Sequence, residues 1–325
     1  MIRYKTFDFY RKFIILFILM ANIIIIIKFY KNINKVITQK NKHLFQKKFA
    51  FIRRLDCPNC GFFSFYIVHL GCINKYLLEG YIPIVDLQSF NNVYNKNNIS
   101  NNPWELFFYQ PFNYSLYEVK KYAKNITYLN CSAKFYRPNE RTFYNISIIN
   151  FWHNFAKKYM PVRENIIYET KTIMEKLFKK SKNILGVKLR GTDYLAKRPK
   201  DHPIQPKVEQ VISDVKSMDN RNKYDFIFFT TEDEIIRHKF QPEFKDKLKM
   251  LNPNIYVEYN FTKRAFITLN EKIIGNIEYI KNYLFNILIL SKCLDIIASR
   301  ASGTIGVFIL TNGFRNVKIY DLGYY

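Results

Sequence analysis

The stretch Asn183 to Pro203, NILGVKLRGTDYLAKRPKDHP, passes from a short apolar run into a dense cluster of charge. Residues 184–189 are mostly β-branched and aliphatic, which predicts a buried strand. Arg190 follows the carboxyl end of that strand, the end at which open α/β sheets bind ligands. A guanidinium there can hold a phosphate or carboxylate through two parallel hydrogen bonds, and Gly191 lets the backbone approach the ligand. The alternative is a surface loop whose charges pair with one another.

Strand and helix patterns alternate along the chain after this stretch. Strands separated by helices pair as a parallel sheet with right-handed crossovers. The carboxyl ends of such strands lie along one edge, so we expect the loops that follow them to share one pocket. Beyond 184–189, strands are predicted at 226–231, 255–258, 294–299 and 317–322, and helices begin after Pro206, at Glu232, at Glu271 and at Thr304.

Two further loops of this half carry polar groups at strand ends. Thr230 to Asp233 places two acids where they can accept hydrogen bonds from a ribose or a base, or equally can cap the next helix. Ser299 to Thr304 offers hydroxyls and backbone N–H groups at a helix N-terminus, which suits either a diphosphate or an ordinary capping loop. Neither GxGxxG nor a phosphate-binding GxxxxGK sequence occurs in the chain. Together the three loops predict a cleft for a nucleoside diphosphate.

The first half of the chain also has an α/β pattern. An apolar helix is predicted at 62–78, followed by a strand at 81–87. Residues 148–180 are helical in pattern but are broken near their single proline, which makes them the candidate connection between two domains. We therefore expect an α/β protein with one domain at 49–160 and a second at 161–325.

The N-terminal segment has the pattern of a membrane anchor. Phe13 to Ile27, FIILFILMANIIIII, contains Asn22 as its one polar residue. A spanning helix needs about 20 apolar residues, so this run is near the lower limit of length. The basic segment at 31–48 follows without a small-residue cleavage site, which favours an uncleaved anchor on a stalk over a removed signal peptide. Residues 1–30 are thus predicted to be a basic tail and transmembrane helix, and because both flanks are basic the orientation is not specified.

The composition excludes some partners. Apolar residues make up 48% and aromatic residues 18% of the chain, which excludes a mainly disordered protein. The net charge of +25 raises the question of nucleic acid, but the basic residues are spread over the whole chain and no nucleic-acid-binding motif occurs among them. We therefore predict no nucleic-acid partner, and expect the charge to favour anionic ligands and anionic membrane surfaces.

The five cysteines do not suggest a disulfide framework. Cys57-Pro-Asn-Cys60 is a single CxxC without a second pair, so it supplies at most half of a zinc site. We predict no metal. A bond between Cys57 and Cys60 stays open if this part of the chain faces an oxidising compartment.

Three motifs, in the same order, resemble those of the fucosyltransferase superfamily that includes α-1,6-fucosyltransferases and nodulation fucosyltransferases. Lys188 to Asp193, followed by His202-Pro203, is similar to the family's H-x-R-x-T-D…HP segment. Phe228 to Asp233 resembles its strand ending in A-T-D-D, and Leu290 to Ser302 resembles its L-S-x-A-D…S-S segment. Cys60-Gly61 and the helix that follows are similar to its glycine-loop opening.

The resemblance implies a GT-B fold of two Rossmann-like domains and a metal-independent, inverting transfer from GDP-fucose to a glycan acceptor, with no cofactor. Residues 49–160 would face the acceptor and 161–325 would bind the nucleotide sugar. The catalytic domain would be cytoplasmic in a bacterium and lumenal in a Golgi-type enzyme. By position, Arg190 would clamp the donor phosphates, Glu232 would face the nucleotide and Ser302 would lie on the diphosphate. The other candidates for donor binding are Lys188, Asp233, Asn286, Gly303 and Thr304.

The chain departs from the family at three positions. Lys188 replaces the family's His, and Arg198 stands where the family has the loop acid usually proposed as the base. Asn286 replaces an Asp that faces the nucleotide. The catalytic base is therefore unassigned, with Asp193 and Asp201 as candidates. The same departures leave open a catalytically inactive relative that binds a nucleotide sugar or a glycan.

Overall fold

The computed structural model describes residues 47–95, 101–251 and 273–325, with isolated helical positions at 20, 23–25, 27–28 and 31. The predicted anchor at 13–27 and stalk at 31–48 lie almost entirely outside the described residues, and the predicted strand at 255–258 lies wholly outside them. Within the described residues, no helix combines the length and the apolar character needed to cross a membrane.

The chain folds into two parallel β-sheets. In the first sheet, β1 (Lys48–Arg53) lies between β2 (Ile82–Val85) and β3 (Asn125–Asn130). Pro83 lacks a backbone N–H, and its position on the edge strand β2 is one of the few that a sheet allows it. The first sheet is thus a small α/β layer centred on β1.

The second sheet has five strands in the order β6-β5-β4-β7-β8, all parallel. If the described strands of this sheet are numbered 1 to 5 along the chain, their spatial order is 3-2-1-4-5, which is the order of a doubly wound fold. Successive strands are added on one side of β4 up to β6 and on the other side from β7, so the order reverses beside β4. The predicted strands after Asn183 are confirmed wherever the structure describes them. Their bounds are β4 Ile184–Lys188, β5 Phe226–Thr230, β6 Leu248–Lys249, β7 Asp295–Ser299 and β8 Val317–Tyr320.

Helices connect the strands of both sheets. The helix predicted from Glu271 begins at Ile277 in the described part of the chain, and the helix predicted from Thr304 begins at Ser302. The helices are α1 Phe62–Leu78, α2 Leu116–Tyr122, α3 Ile146–Tyr159, α4 Glu164–Phe178, α5 Asp193–Lys197, α6 Val208–Asn222, α7 Glu234–Phe244, α8 Ile277–Leu290 and α9 Ser302–Leu310, with short 3₁₀ helices at Pro103–Leu106, Pro111–Asn113 and Glu140–Tyr144.

One hydrophobic core joins the two halves of the molecule. It contains residues of both sheets, such as Ile52 of β1 and Ile296 of β7. At its centre α1 and α9 cross closely, because a Cβ added to Gly306 would lie 2.1 Å from Cδ1 of Phe63. On α3, Nδ1 of His153 donates to the carbonyl of Ile309 at 2.8 Å, so this helix also packs on α9. The two sheets are therefore held together by helices rather than by strand pairing.

The expectation that the cysteines form no disulfide framework is wrong. Cys57 pairs with Cys60, and Cys72 of α1 pairs with Cys131, which follows β3. The second bond joins positions 59 residues apart in the chain, a partner choice that spacing alone does not reveal. Cys293 is a buried free thiol.

Candidate active site

A cavity of about 810 Å³ lies between the carboxyl edges of the two sheets. The loops after β1, β4, β5 and β7 line it together with one side of α8. The prediction that the strand-end loops share one pocket is confirmed. Eight of the ten predicted site residues line this cavity, namely Lys188, Arg190, Asp193, Asp201, Glu232, Asn286, Ser302 and Gly303, whereas Asp233 and Thr304 do not.

Arg190 is held by two carboxylates at the mouth of the second sheet. Its Nη2 donates to Asp193 Oδ1 at 2.6 Å and its Nη1 lies 2.9 Å from Glu232 Oε1. The guanidinium also lies over the ring of Tyr194, 4.9 Å from its centroid. Burial alone would lower the pKa of Arg190, but the charges of Glu232 and Asp193 outweigh burial and raise it. Arg190 is therefore a permanent cation whose charge is already neutralised within the protein.

Asp233 binds the protein rather than the cavity, so its prediction as a donor-binding residue is corrected. Its Oδ1 accepts the N–H of Ile236 at 3.1 Å and caps α7, and its Oδ2 accepts the N–H of Thr192 at 2.7 Å. A Cβ on Gly191 would lie 2.4 Å from that Oδ2, so only glycine fits there. The helix-capping interpretation of the second acid holds, and the cap also fixes the loop after β4.

Thr304 is likewise directed inwards. Its hydroxyl donates to the carbonyl of Ser299 at 2.6 Å, and the residue is fully buried. Ser299 in turn accepts the N–H of Arg190 on its own hydroxyl at 2.9 Å. The hydroxyls of this turn thus connect β7 to the loop after β4, and Thr304 is corrected from a ligand contact to a structural one.

Lys188 provides an unpaired positive charge in the cavity wall. The residue is 3% exposed, and its ammonium makes no hydrogen bond or ion pair with any residue that the structure describes. Burial lowers its pKa to about 8, against the opposing charge of Glu232. A buried, unpaired ammonium is costly, and it gains most from an anion brought by a ligand.

The N-terminus of α9 lies beside this lysine. A Cβ on Gly303 would lie 2.9 Å from Cε of Lys188 and 2.3 Å from the hydroxyl of Tyr283, which places the first turn of the helix against both side chains. No side chain caps the helix, and Ser302 and Gly303 face the cavity. Uncapped N–H groups next to an ammonium form a site for an anion such as a phosphate.

Asp193 and Asp201, the two candidate bases, differ in their surroundings. Asp193 is buried, and its Oδ1 accepts from both Arg190 and the hydroxyl of Thr192 at 3.0 Å. Asp201 is exposed, has a left-handed backbone with φ of 62°, and donates its N–H to the carbonyl of Tyr325 at 3.3 Å. The Oδ1 of Asp193 is already occupied by these two donors, so the geometry disfavours Asp193 as the base.

His202 lines the cavity next to these acids and was not assigned a role from the sequence. Its Nδ1 lies 3.0 Å from the carbonyl of Lys200, and its ring meets that of Tyr194 edge-on at 5.3 Å. A carbonyl only accepts hydrogen bonds, so Nδ1 is the donor in this contact, and Nε2 makes no hydrogen bond with a residue that the structure describes. The His-Pro pair of the sequence was the signal for this residue.

The remaining predicted residue, Asn286, lies on α8 and lines the cavity. Its Nδ2 donates to the carbonyl of Asn282 at 3.0 Å, which leaves the amide oxygen for the cavity. Among the residues with described positions, no group of three His, Cys, Asp or Glu side chains is arranged to hold a metal ion.

The first half of the chain contributes the opposite wall of the cavity. Arg54 follows β1 directly, and Arg137 lies ahead of the 3₁₀ helix Glu140–Tyr144. Like Arg190, Arg54 follows the carboxyl end of a parallel strand, so its position in the sequence could have marked it as a candidate ligand-binding residue. Glu140 reaches from this wall to Arg300 of the second half, with Oε2 3.0 Å from Nη2.

No family model and no curated protein matches the sequence. Among solved structures, the chain is similar to NodZ α-1,6-fucosyltransferase soaked with GDP-fucose, at 14% identity and a TM-score of 0.45 over 82% of this chain and 93% of that one. A selenomethionine form of fucosyltransferase NodZ from Bradyrhizobium gives 14% identity and a TM-score of 0.47, over 85% of this chain and 96% of that one. POFUT1 in complex with GDP-fucose gives 8% identity and a TM-score of 0.39, over 60% and 55% of the two chains. Such distant likenesses transfer neither an activity nor a residue role. The resemblance of the chain to fucosyltransferases thus rests on its three sequence motifs.

Proposed function

We propose that this protein is a GT-B-like glycosyltransferase that transfers a sugar from a nucleoside diphosphate donor, GDP-fucose, to a glycan acceptor without a metal ion. The observation that carries the proposal is the ammonium of Lys188, which has no hydrogen-bond or ion-pair partner among the described residues. It lies beside the N-terminus of α9, which no described side chain caps, at the point where the strand order reverses. That crevice is where doubly wound sheets bind nucleotides.

The chemistry requires stabilisation of the charge that develops on the departing diphosphate. Lys188 and the N–H groups of Ser302 and Gly303 supply fixed positive charge there, in a site that is largely shielded from water. Oε1 of Glu232 accepts the N–H of Gly191 and pairs with the guanidinium of Arg190. In this proposal the other oxygen, Oε2, accepts a hydrogen bond from the ribose or the base of the nucleotide. In this proposal, Arg190 acts mainly by fixing the loop that carries Asp193.

An inverting transfer also requires a base for the attacking acceptor hydroxyl. We assign that role to His202, because its Nε2 makes no hydrogen bond with a described residue and its ring lines the cavity. Asp201 is the neighbouring alternative, while Asp193 is engaged by Arg190. The pH dependence of transfer by His202→Gln, compared with that by Asp201→Asn, separates the two.

The apolar run at 13–27 supports a membrane-anchored form of the enzyme. In that form the catalytic part is tethered by residues 1–30, on the cytoplasmic side in a bacterium or the lumenal side in a Golgi-type enzyme. Membrane fractionation of the full chain tests the anchor. Recovery of the chain in the soluble fraction without detergent would contradict it.

Thermal-shift screening of the full-length chain against a panel of nucleotide sugars tests the donor assignment. Stabilisation by GDP and GDP-fucose reports their affinity directly. We expect both to stabilise the protein and Lys188→Met to abolish the shift. Donor binding without hydrolysis or transfer to a broad acceptor panel would instead favour an inactive binding relative, for which the replacement of the family's His by Lys188 is the supporting observation.

A further inference from the structure

The wall contributed by the first half of the chain carries two arginines that the donor site does not use. Arg54 is 5% exposed; its Nη1 donates to Ser64 Oγ at 2.9 Å and its Nε lies 3.4 Å from Oδ1 of Asp56. Arg137 donates from Nε to the carbonyl of Ala133 at 2.9 Å and from Nη1 to that of Pro138 at 3.0 Å. Both side chains line the cavity.

These guanidinium groups are only partly neutralised by the described residues of the protein. Arg137 forms no ion pair with a carboxylate in the described ranges, and the one carboxylate paired with Arg54 is 46% exposed. Burial lowers the pKa of both arginines. At Arg54 the charge of Asp56 opposes that decrease and the charge of Arg137 adds to it, and at Arg137 the charges of Glu140 and Asp56 oppose it. Two neighbouring cations in a shielded wall are unfavourable unless an anion binds between them.

The backbone bonds also orient Arg137 for a ligand. Two of its nitrogens are fixed by carbonyls, so its remaining Nη2 is held in place rather than free to rotate. Arg54 is fixed in the same way by Ser64, which leaves its own Nη2 without a partner among the described residues. A preorganised guanidinium loses little conformational entropy when it binds a carboxylate or phosphate.

We propose that Arg54 and Arg137 bind a carboxylate or phosphate carried by the acceptor, so that the acceptor is an acidic glycan. This inference rests on the proposed function, which assigns the diphosphate of the donor to Lys188 and α9 on the opposite wall. A neutral acceptor would leave Arg137 without an ion pair among the described residues and Arg54 with only the half-exposed Asp56. The site therefore selects acceptors by charge as well as by shape.

The experiment uses the full-length chain saturated with GDP, so that the donor site is occupied. Binding of glucuronate, inorganic phosphate and glucose is then measured by titration calorimetry on the wild type and on Arg54→Gln/Arg137→Gln. Arg221→Gln, an exposed arginine on α6, is the matched control. Arg137→Gln alone serves as the second variant, because Arg137 is the less buried of the two.

We expect one of the anions to bind the GDP-saturated wild type at least about tenfold more tightly than glucose, and the substitutions to remove about that factor. The arginine variants should bind GDP as tightly as the wild type does, and Arg221→Gln should bind the anions as tightly as the wild type does. A response to glucuronate alone identifies a carboxylate site, and a response to phosphate alone identifies a phosphate site.

Equal binding of glucose and both anions would overturn the inference. A loss of GDP affinity in the arginine variants would also overturn it, because the arginines would then belong to the donor site. Failure of the wild type to bind GDP at all is a different result, which contradicts the proposed function itself.

Discussion

At the end of β4, Lys188 places an ammonium in a wall where the described residues offer it no partner. The resemblance drew attention to this position because a lysine replaces a histidine there. The sequence left open that the charges of this loop pair with one another, and Arg190, two residues after Lys188, does pair with Asp193 and Glu232. The sequence did not show which carboxylates would be its partners. Ion pairing depends on which side chains of different loops meet, and no local pattern encodes that. The proposed function therefore assigns the phosphate contact to the lysine rather than to the arginine.

The low pKa of Lys188 predicts a pH-dependent stability of the unliganded protein. The folded lysine titrates at about 8, against an ordinary value of 10.5 for the unfolded chain. Between these values the unfolded chain binds more protons, so the free energy of unfolding of the wild type rises with pH across that window. Lys188→Met removes this term, so its stability advantage over the wild type should be largest below pH 8 and should shrink towards pH 10.5. Denaturant unfolding at several pH values measures it, and an advantage independent of pH would count against a buried, titrating lysine.

Removing Arg190 should destabilise the fold as well as the site. Arg190→Gln leaves Asp193 and Glu232 without their cation, in surroundings where each carboxylate is mostly buried. Breaking a buried ion pair from one side costs about 3–5 kcal/mol. Arg190→Gln/Glu232→Gln removes one of the orphaned charges, so it should recover part of the loss in denaturant unfolding. No recovery in the double variant would show that the pairing is not what stabilises this loop.

At the scale of the elements, the sequence predicted that the strand-end loops meet at one cavity. It predicted only in part which side chains of those loops face that cavity. The carboxyl edge of a parallel sheet collects its loops by geometry, which is why eight predicted residues reach one cavity. Asp233 and Thr304 were expected beside them, since both lie in the same strand-end loops. Position along the chain does not reveal which way a side chain points. Both instead bind backbone groups at the ends of α7 and β7. Caps and ligand contacts use the same residue types, so only the structure separates them.

The close crossing of α1 and α9 predicts that adding a single methyl group at the contact lowers the stability of the fold. Gly306→Ala would place a Cβ within 2.1 Å of the Phe63 ring, so one helix must shift. Overpacking of this kind costs about 1–3 kcal/mol, and Phe63→Leu in the same chain should relieve part of it. Gly61→Ala is the matched control, since nothing lies within 4 Å of its added Cβ. Thermal unfolding of the wild type, Gly306→Ala, Phe63→Leu and the double variant closes the cycle, with Gly61→Ala measured beside it. Simple additivity of the two single effects would argue against this contact.

At the scale of the whole molecule, the two walls of the cavity come from distant parts of the chain. Periodicity predicted both α/β halves but not how they meet, because the contact depends on long-range packing between helices such as α1 and α9. For the same reason Arg54 and Arg137 were not associated with Lys188. The sequence left a Cys57–Cys60 bond open, but the pairing of Cys72 with Cys131 was missed, since spacing does not specify connectivity.

The disulfides predict that the stability of the whole molecule depends on redox conditions. Cys72–Cys131 closes a long loop between α1 and the end of β3, and such bonds contribute about 2–4 kcal/mol. Reductant should lower the melting temperature of the wild type, whereas Cys72→Ser/Cys131→Ser should already be low and should respond far less. Peptide mapping under non-reducing conditions verifies the bonds. A melting temperature insensitive to reductant in the wild type would indicate that this bond does not form.

Isothermal titration of the full-length chain with GDP-fucose tests the central claim most directly. The comparison needs the wild type, Lys188→Met and, as an exposed matched control on α4, Lys171→Met. We predict saturable binding by the wild type and the control, and an affinity lower by about tenfold or more in Lys188→Met, since a charge-assisted contact to the diphosphate is lost. Equal affinities in all three proteins, or no binding of GDP-fucose to the wild type, would contradict the account.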